Sequence, residues 1–254
     1  MPSASTLLRV QIERSLEQRF PSALTVAPRC IRAVTQTGIG KIDALLDGGL
    51  PVGAISEITG PDSSGRTSLT FAFVAQCIAK GQSCAWVDAA DALDPESAAA
   101  SEVELQRLLW VRCQNQEQAY TAKPLARLDQ ALRATDLLLQ VGGFGAIVLD
   151  LGNTAPEHGT RIPQATWFRW RQAADRTRCC LVVLGKMAYT QSSAAASVEC
   201  APLEVHAAGE TVLQKFSFTV ARRRERFASS TGGMRKPPVS TWSARTSWDV
   251  EKRA

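Results

Sequence analysis

The residues whose types and spacing carry the clearest chemistry are Gly60, Pro61, Asp62, Ser63, Ser64, Gly65, Arg66, Thr67 and Ser68. Two glycines five positions apart let a backbone turn tightly enough for successive N–H groups to face phosphate oxygens. A helix that begins just after them adds the positive end of its dipole. Thr67 stands where such a loop places the hydroxyl that ligates Mg²⁺. Arg66 stands where the pattern G-x-x-x-x-G-K-[ST] wants lysine. A guanidinium neutralises phosphate, but it is wider and planar where an ammonium is a compact point charge. The alternative reading is a glycine turn between a strand and a helix, with no ligand.

The flanking elements favour the phosphate reading. Residues 54–59 (Ala-Ile-Ser-Glu-Ile-Thr) alternate and are β-branched, the signature of a strand. Residues 69–79 are apolar nearly all round, as in a buried helix. Further strands are predicted at 83–88, 108–112, 145–150 and 179–185, and another alternating run follows at 212–220. A helix is expected from Asp94-Pro95 to about Arg107, and a longer one from Pro124 to Gln140, closed by Gly142-Gly143. Strands alternating with helices at these intervals predict a mainly parallel sheet covered on both faces, with ligands at its carboxyl edge. Asp150 falls on that edge, at the end of the apolar run Ala146-Ile147-Val148-Leu149.

The run Gly38-Ile39-Gly40-Lys41-Ile42-Asp43-Ala44-Leu45-Leu46, then Gly48-Gly49-Leu50-Pro51, Gly53, Glu57-Ile58 and the 60–65 loop, resembles the bacterial recombinase family RecA. Val87-Asp88-Ala89 and Ala92-Leu93-Asp94-Pro95 extend the resemblance, and Asp150 resembles its Walker B aspartate. The short chain and altered site are more similar to the RecA-like ImuA proteins of SOS mutagenesis cassettes. The resemblance implies an α/β, RecA-like P-loop core. Its site would be residues 60–68 with Asp150, Thr67 and Asp150 lying at the metal. It implies ATP and Mg²⁺ as ligands. It also implies partners: a Y-family-like factor, an error-prone polymerase, or RecA itself.

Three departures oppose catalysis. Besides Arg66, the family's catalytic glutamate aligns with Ala90, which cannot accept a proton or orient water. The glutamine that senses the γ-phosphate aligns with Lys186, after the strand 179–185. Losing a positioned base or charge clamp costs orders of magnitude in rate, so fast hydrolysis is not expected and nucleotide binding is expected to be weak or lost. No catalytic residue is assigned. The rival expectation is an active DNA-dependent ATPase or recombinase, which the intact glycines, Thr67 and Asp150 favour.

Composition sets the remaining bounds. A chain of 254 residues suffices for one α/β core with terminal additions, and 45% hydrophobic with 21% charged residues is ordinary for a globular protein. Seven cysteines form no C-x-x-C pair, and with two histidines show no metal-ligand spacing. No signal-peptide pattern or membrane-length apolar run is read, so a cytoplasmic location is expected. The expected organisation is an N-terminal amphipathic helix and linker (1–28), the core (29–227) and a basic, flexible tail (228–254). From Lys215 onward ten Lys/Arg face three Asp/Glu, so the whole positive excess lies there. A basic segment with Trp242 and Trp248 suits DNA or a protein partner. Trp167, Phe168, Trp170 and Arg171 read as a helix anchor in preference to a base-stacking surface. Residues 152–162 read as an ordinary surface loop, and 188–196 as a shortened one.

Overall fold

Three short runs in this chain, 84–87, 146–149 and 181–184, are apolar without alternation, a pattern that suits a strand covered on both faces. In the computed structural model these runs form the centre of an eight-stranded sheet. The structure describes residues 32–113, 124–152, 154–208, 212–225 and 238–245, all within one unit, Arg32–Ala254. The N-terminal amphipathic helix, Trp248 and Arg226 lie outside the described residues.

In chain order the elements are β1 (Val34–Thr35), α1 (Gly40–Leu45), β2 (Leu50–Pro51), β3 (Ile55–Thr59), α2 (Arg66–Ala79), β4 (Ser83–Asp88), α3 (Pro95–Ala100) and β5 (Leu108–Arg112). There follow α4 (Pro124–Val141), β6 (Phe144–Asp150), α5 (Pro156–Gly159), α6 (Gln164–Thr177), β7 (Cys180–Gly185), β8 (Ala196–Ala208), β9 (Val212–Glu225) and β10 (Val239–Arg245). The sheet order is β10-β9-β8-β3-β7-β6-β4-β5, with β1 and β2 forming a separate antiparallel pair. From β8 to β5 every neighbour is parallel, while β8-β9 and β9-β10 are antiparallel. The mainly parallel α/β sheet expected from the sequence is therefore present.

Two apolar layers cover the sheet. Leu69, Phe73, Val74 and Cys77 of α2 pack with Trp86, Val148 and Val182 on one face. Leu128, Ala131 and Leu139 of α4, with Trp167, Trp170 and Ala174 of α6, cover Val87, Ile147 and Val183 on the other. Each aliphatic side chain removed from water in this way contributes about 1.5–3 kcal/mol. Trp167 and Trp170 meet edge to face at 5.3 Å and are buried, so the α6 aromatics anchor a helix. The Trp170 indole donates to Asp136 of α4 at 3.0 Å, locking the two helices together.

Three local expectations need correction. The helix from Asp94 stops at Ala100, because Ser101 closes the turn and Glu102 takes a positive φ of 65°. Its start is as expected, with the Asp94 carboxylate accepting from the amides of Glu96 and Ser97 and proline at the first turn. The segment 152–162 holds the short helix α5, whose Gly159 is buried against the Tyr189 ring. The tail expected from residue 228 contains β10, which pairs with β9 over its full length and sets Trp242 opposite Phe218, their rings 5.0 Å apart. Serine and threonine between apolar residues give that strand the look of a linker. Among the described residues no helix is long and apolar enough to cross a membrane.

Candidate functional site at the carboxyl edge of the sheet

Register brings the site together. Thr59 of β3 pairs with Gly185 of β7, Asp150 of β6 with Leu184, and Asp88 of β4 with Asp150, so four strand ends meet on one edge. The amide of Gly60 donates to the Gly185 carbonyl at 3.1 Å, extending the ladder one step into the loop. The loop 60–65 then turns into α2 through Gly65, whose φ of 80° is left-handed. No side chain caps α2, so its first amides keep their dipole exposed to the loop interior. A Cβ on Gly65 would stand 2.7 Å from the Phe218 ring, so glycine is required both by φ and by space.

The loop interior is filled by the chain's own side chains. Arg66 is buried; its Nη1 donates to the carbonyls of Gly60 and Pro61, both at 2.6 Å, and its Nη2 meets Asp62 at 3.2 Å. A cation at a helix N-terminus opposes the dipole, and these three acceptors offset that cost. Lys186, the first residue beyond β7, reaches across and pairs with the other Asp62 oxygen at 2.8 Å. The Lys186 ammonium, and after it the Arg66 guanidinium, hold the Asp62 carboxyl below the usual carboxylate range. Beside them lies a cleft of about 300 Å³, lined by residues 62–68 and closed on one side by Phe216 and Phe218.

Asp150 lies at the back of this loop. Its Oδ1 accepts from the Gly152 amide at 2.8 Å. Burial, with Asp88 adding to it, pushes its carboxyl up to about 6, against the pull of the Gly152 amide, Arg66 and the Trp86 indole. A Cβ on Gly152 would lie 3.0 Å from both Asp150 Oδ1 and Arg66 Nη2, which measures how closely these groups crowd. The structure therefore brings the residues singled out in the sequence, 60–68 with Asp150, to one place. As arranged, Arg66 gives to the loop carbonyls and to Asp62 the donors that a phosphate chain would draw on, so a phosphate would enter only by displacing such contacts. ATP and Mg²⁺ accordingly enter no step here. Thr67 lines the cleft, and Ala90 has no polar side-chain atom.

Several contributors were given no role from the sequence. Asp88 is fully buried and accepts from the amides of Ala90 (3.2 Å), Ala92 (3.0 Å) and Leu93 (2.8 Å), and from the Trp110 indole (3.3 Å). It fixes the loop in which Ala90 sits. Glu57, buried in β3, accepts from the amides of Tyr189 and Thr190 at 2.6 and 2.9 Å and from the Thr190 hydroxyl at 3.0 Å, pinning the connection after β7. Phe216 and Phe218 follow from the alternation of 212–220, but nothing in the sequence aims them at the loop. Residues 222–225 end β9, and Arg222 and Arg223 are paired with Asp47 and Glu199.

The family model for the RecA N-terminal domain matches residues 11–152, more than half of the chain. The chain belongs to the RecA family. A RecA protein of Acinetobacter baumannii is 35% identical over 143 residues, covering 55% of this chain and 37% of that protein. RecA of Allorhizobium ampelinum is 31% identical over 193 residues, covering 70% of this chain and 50% of that protein. The chain thus spans about half or less of the length of these RecA relatives. Among solved structures, that of the RadB recombinase superposes with a TM-score of 0.54 over 82% of this chain and 94% of that one. At 14% identity that likeness concerns the fold alone.

Proposed function

We propose that this RecA-family chain is an accessory protein of DNA damage-induced mutagenesis, acting through protein contacts and with little or no ATP hydrolysis. The reading rests on the resemblance to ImuA-type proteins and, above all, on Arg66, whose guanidinium is committed to the carbonyls of Gly60 and Pro61. A group so committed is not positioned to clamp a γ-phosphate, and neither Ala90 nor Lys186 supplies a base or a neutral sensor. The partners in this reading are a Y-family-like factor, an error-prone polymerase, or RecA itself. The basic C-terminal strands add a route to DNA.

The experiment is genetic. A deletion of the gene in its own host should lower damage-induced mutation frequency, and a copy carrying Thr67→Ala with Asp150→Asn should restore it to the native level. Failure of that copy, together with a recombination defect in the deletion strain, would favour the second reading. That reading, an active DNA-dependent recombinase, is supported by the intact glycine frame and by Asp150, which accepts only one hydrogen bond from the described residues.

A further inference from the structure

We propose that the carboxylate of Asp62 is an internal anion that latches Arg66 and Lys186 across the loop and must be displaced before a diphosphate can enter. The inference rests on reading the 60–68 loop as a phosphate seat that the chain itself now fills. Three observations converge on Asp62. Its two oxygens take one cation each, Arg66 at 3.2 Å and Lys186 at 2.8 Å, from different elements. Those elements are held in register by Thr59 against Gly185 and by the Gly60 amide on the Gly185 carbonyl, so the pairing is a product of the sheet. Two buried donors of the same loop and helix start, Ser64 Oγ and Arg66 Nε, have no hydrogen-bond partner among the described residues. Buried donors are seldom left unmet, and phosphate oxygens in the adjoining cleft would satisfy them.

The latch is built to open. The Asp62 side chain is 66% exposed and that of Lys186 37%, so water and salt compete for both. A phosphate brings more charge and more acceptor oxygens than one carboxylate, and it draws on the same two cations. Asp62 therefore subtracts from phosphate affinity. A conventional loop residue would leave it unchanged.

The test is calorimetric titration of the full chain with pyrophosphate and with ADP, without metal. Asp62→Asn should bind about tenfold or more tightly than the native chain, the equivalent of one hydrogen bond to a charged group. The gain should shrink as salt rises, because salt weakens the latch in the native chain. Lys186→Gln should change little alone but weaken binding severalfold in the Asp62→Asn background, where Lys186 is free to meet phosphate. Asp62→Ser provides a second latch-free variant should the asparagine fold poorly. Equal or weaker binding by both Asp62 variants, no binding by any form, or additive effects of Asp62→Asn and Lys186→Gln would each overturn the proposal. The readout contains no hydrolysis, so turnover of ATP by the native chain would bear on the accessory reading alone.

Discussion

Asp88 and Asp150 end neighbouring strands, face each other in register, and differ in nearly everything else. Asp88 meets three backbone amides and an indole. Asp150 meets one amide, and burial raises its carboxyl to about 6. Identical side chains one strand apart thus do opposite work: one staples a loop, the other is held desolvated beside Arg66. The lesson concerns acceptor capacity. A carboxylate whose lone pairs are met by its own chain is structural, and one that is buried and under-bonded is the group a cation or phosphate-bound metal would answer to.

The comparison breaks most readily at Asp88. Asp88→Ala should cost about 3 kcal/mol or more, since several buried donors lose their acceptor at once. Asp150→Ala, orphaning one amide, should cost far less. Chemical denaturation of both variants checks this, and equal losses would erase the distinction.

The second difference is in pH. The Asp150 carboxyl titrates above its ordinary value, so between about 4 and 6 the unfolded chain releases its proton while the folded chain keeps it. The unfolded state then binds fewer protons, and stability falls as pH rises through that window. A carboxyl raised from 3.8 to about 6 costs on the order of 2–3 kcal/mol of stability by pH 7. Asp150→Asn should flatten this slope, measured as denaturation midpoints at about pH 4.5 and pH 7. A native chain whose slope survives the substitution would assign the titration elsewhere.

The smallest effect sharpens the loop itself. Gly65→Ala should cost about 1–2 kcal/mol, from a left-handed φ and contact with Phe218. The cost should diminish in a Phe218→Leu background, where the side chain can yield. The same contact makes bulky substitutions at Gly65 a test of folding before they are a test of ligand binding.

The parallel core was legible because its signals are local: alternation at 54–59, unbroken apolar runs at 146–149 and 181–184, and glycines at the turns. The loop residues were legible from spacing. What escaped was long-range. That Asp62 meets Lys186, 124 positions away, follows from the pairing of β3 with β7, and no short window contains it. Asp88 looks like the ordinary end of a strand because its donors are backbone amides, which every sequence carries. β10 escapes because Ser240, Thr241 and Ser243 suggest a linker, whereas pairing with β9 places Trp242 on Phe218.

The most direct measurement is single-turnover cleavage of labelled ATP by the purified full chain with Mg²⁺ and single-stranded DNA. A loop filled by Arg66, with Ala90 in place of a base, predicts no turnover approaching the rate of about one per second at which working ATPases begin. Replacing Arg66 by Lys and Ala90 by Glu together should then raise cleavage more than either change alone, because such groups act as a unit. Phosphate release by the native chain within seconds would contradict the reading.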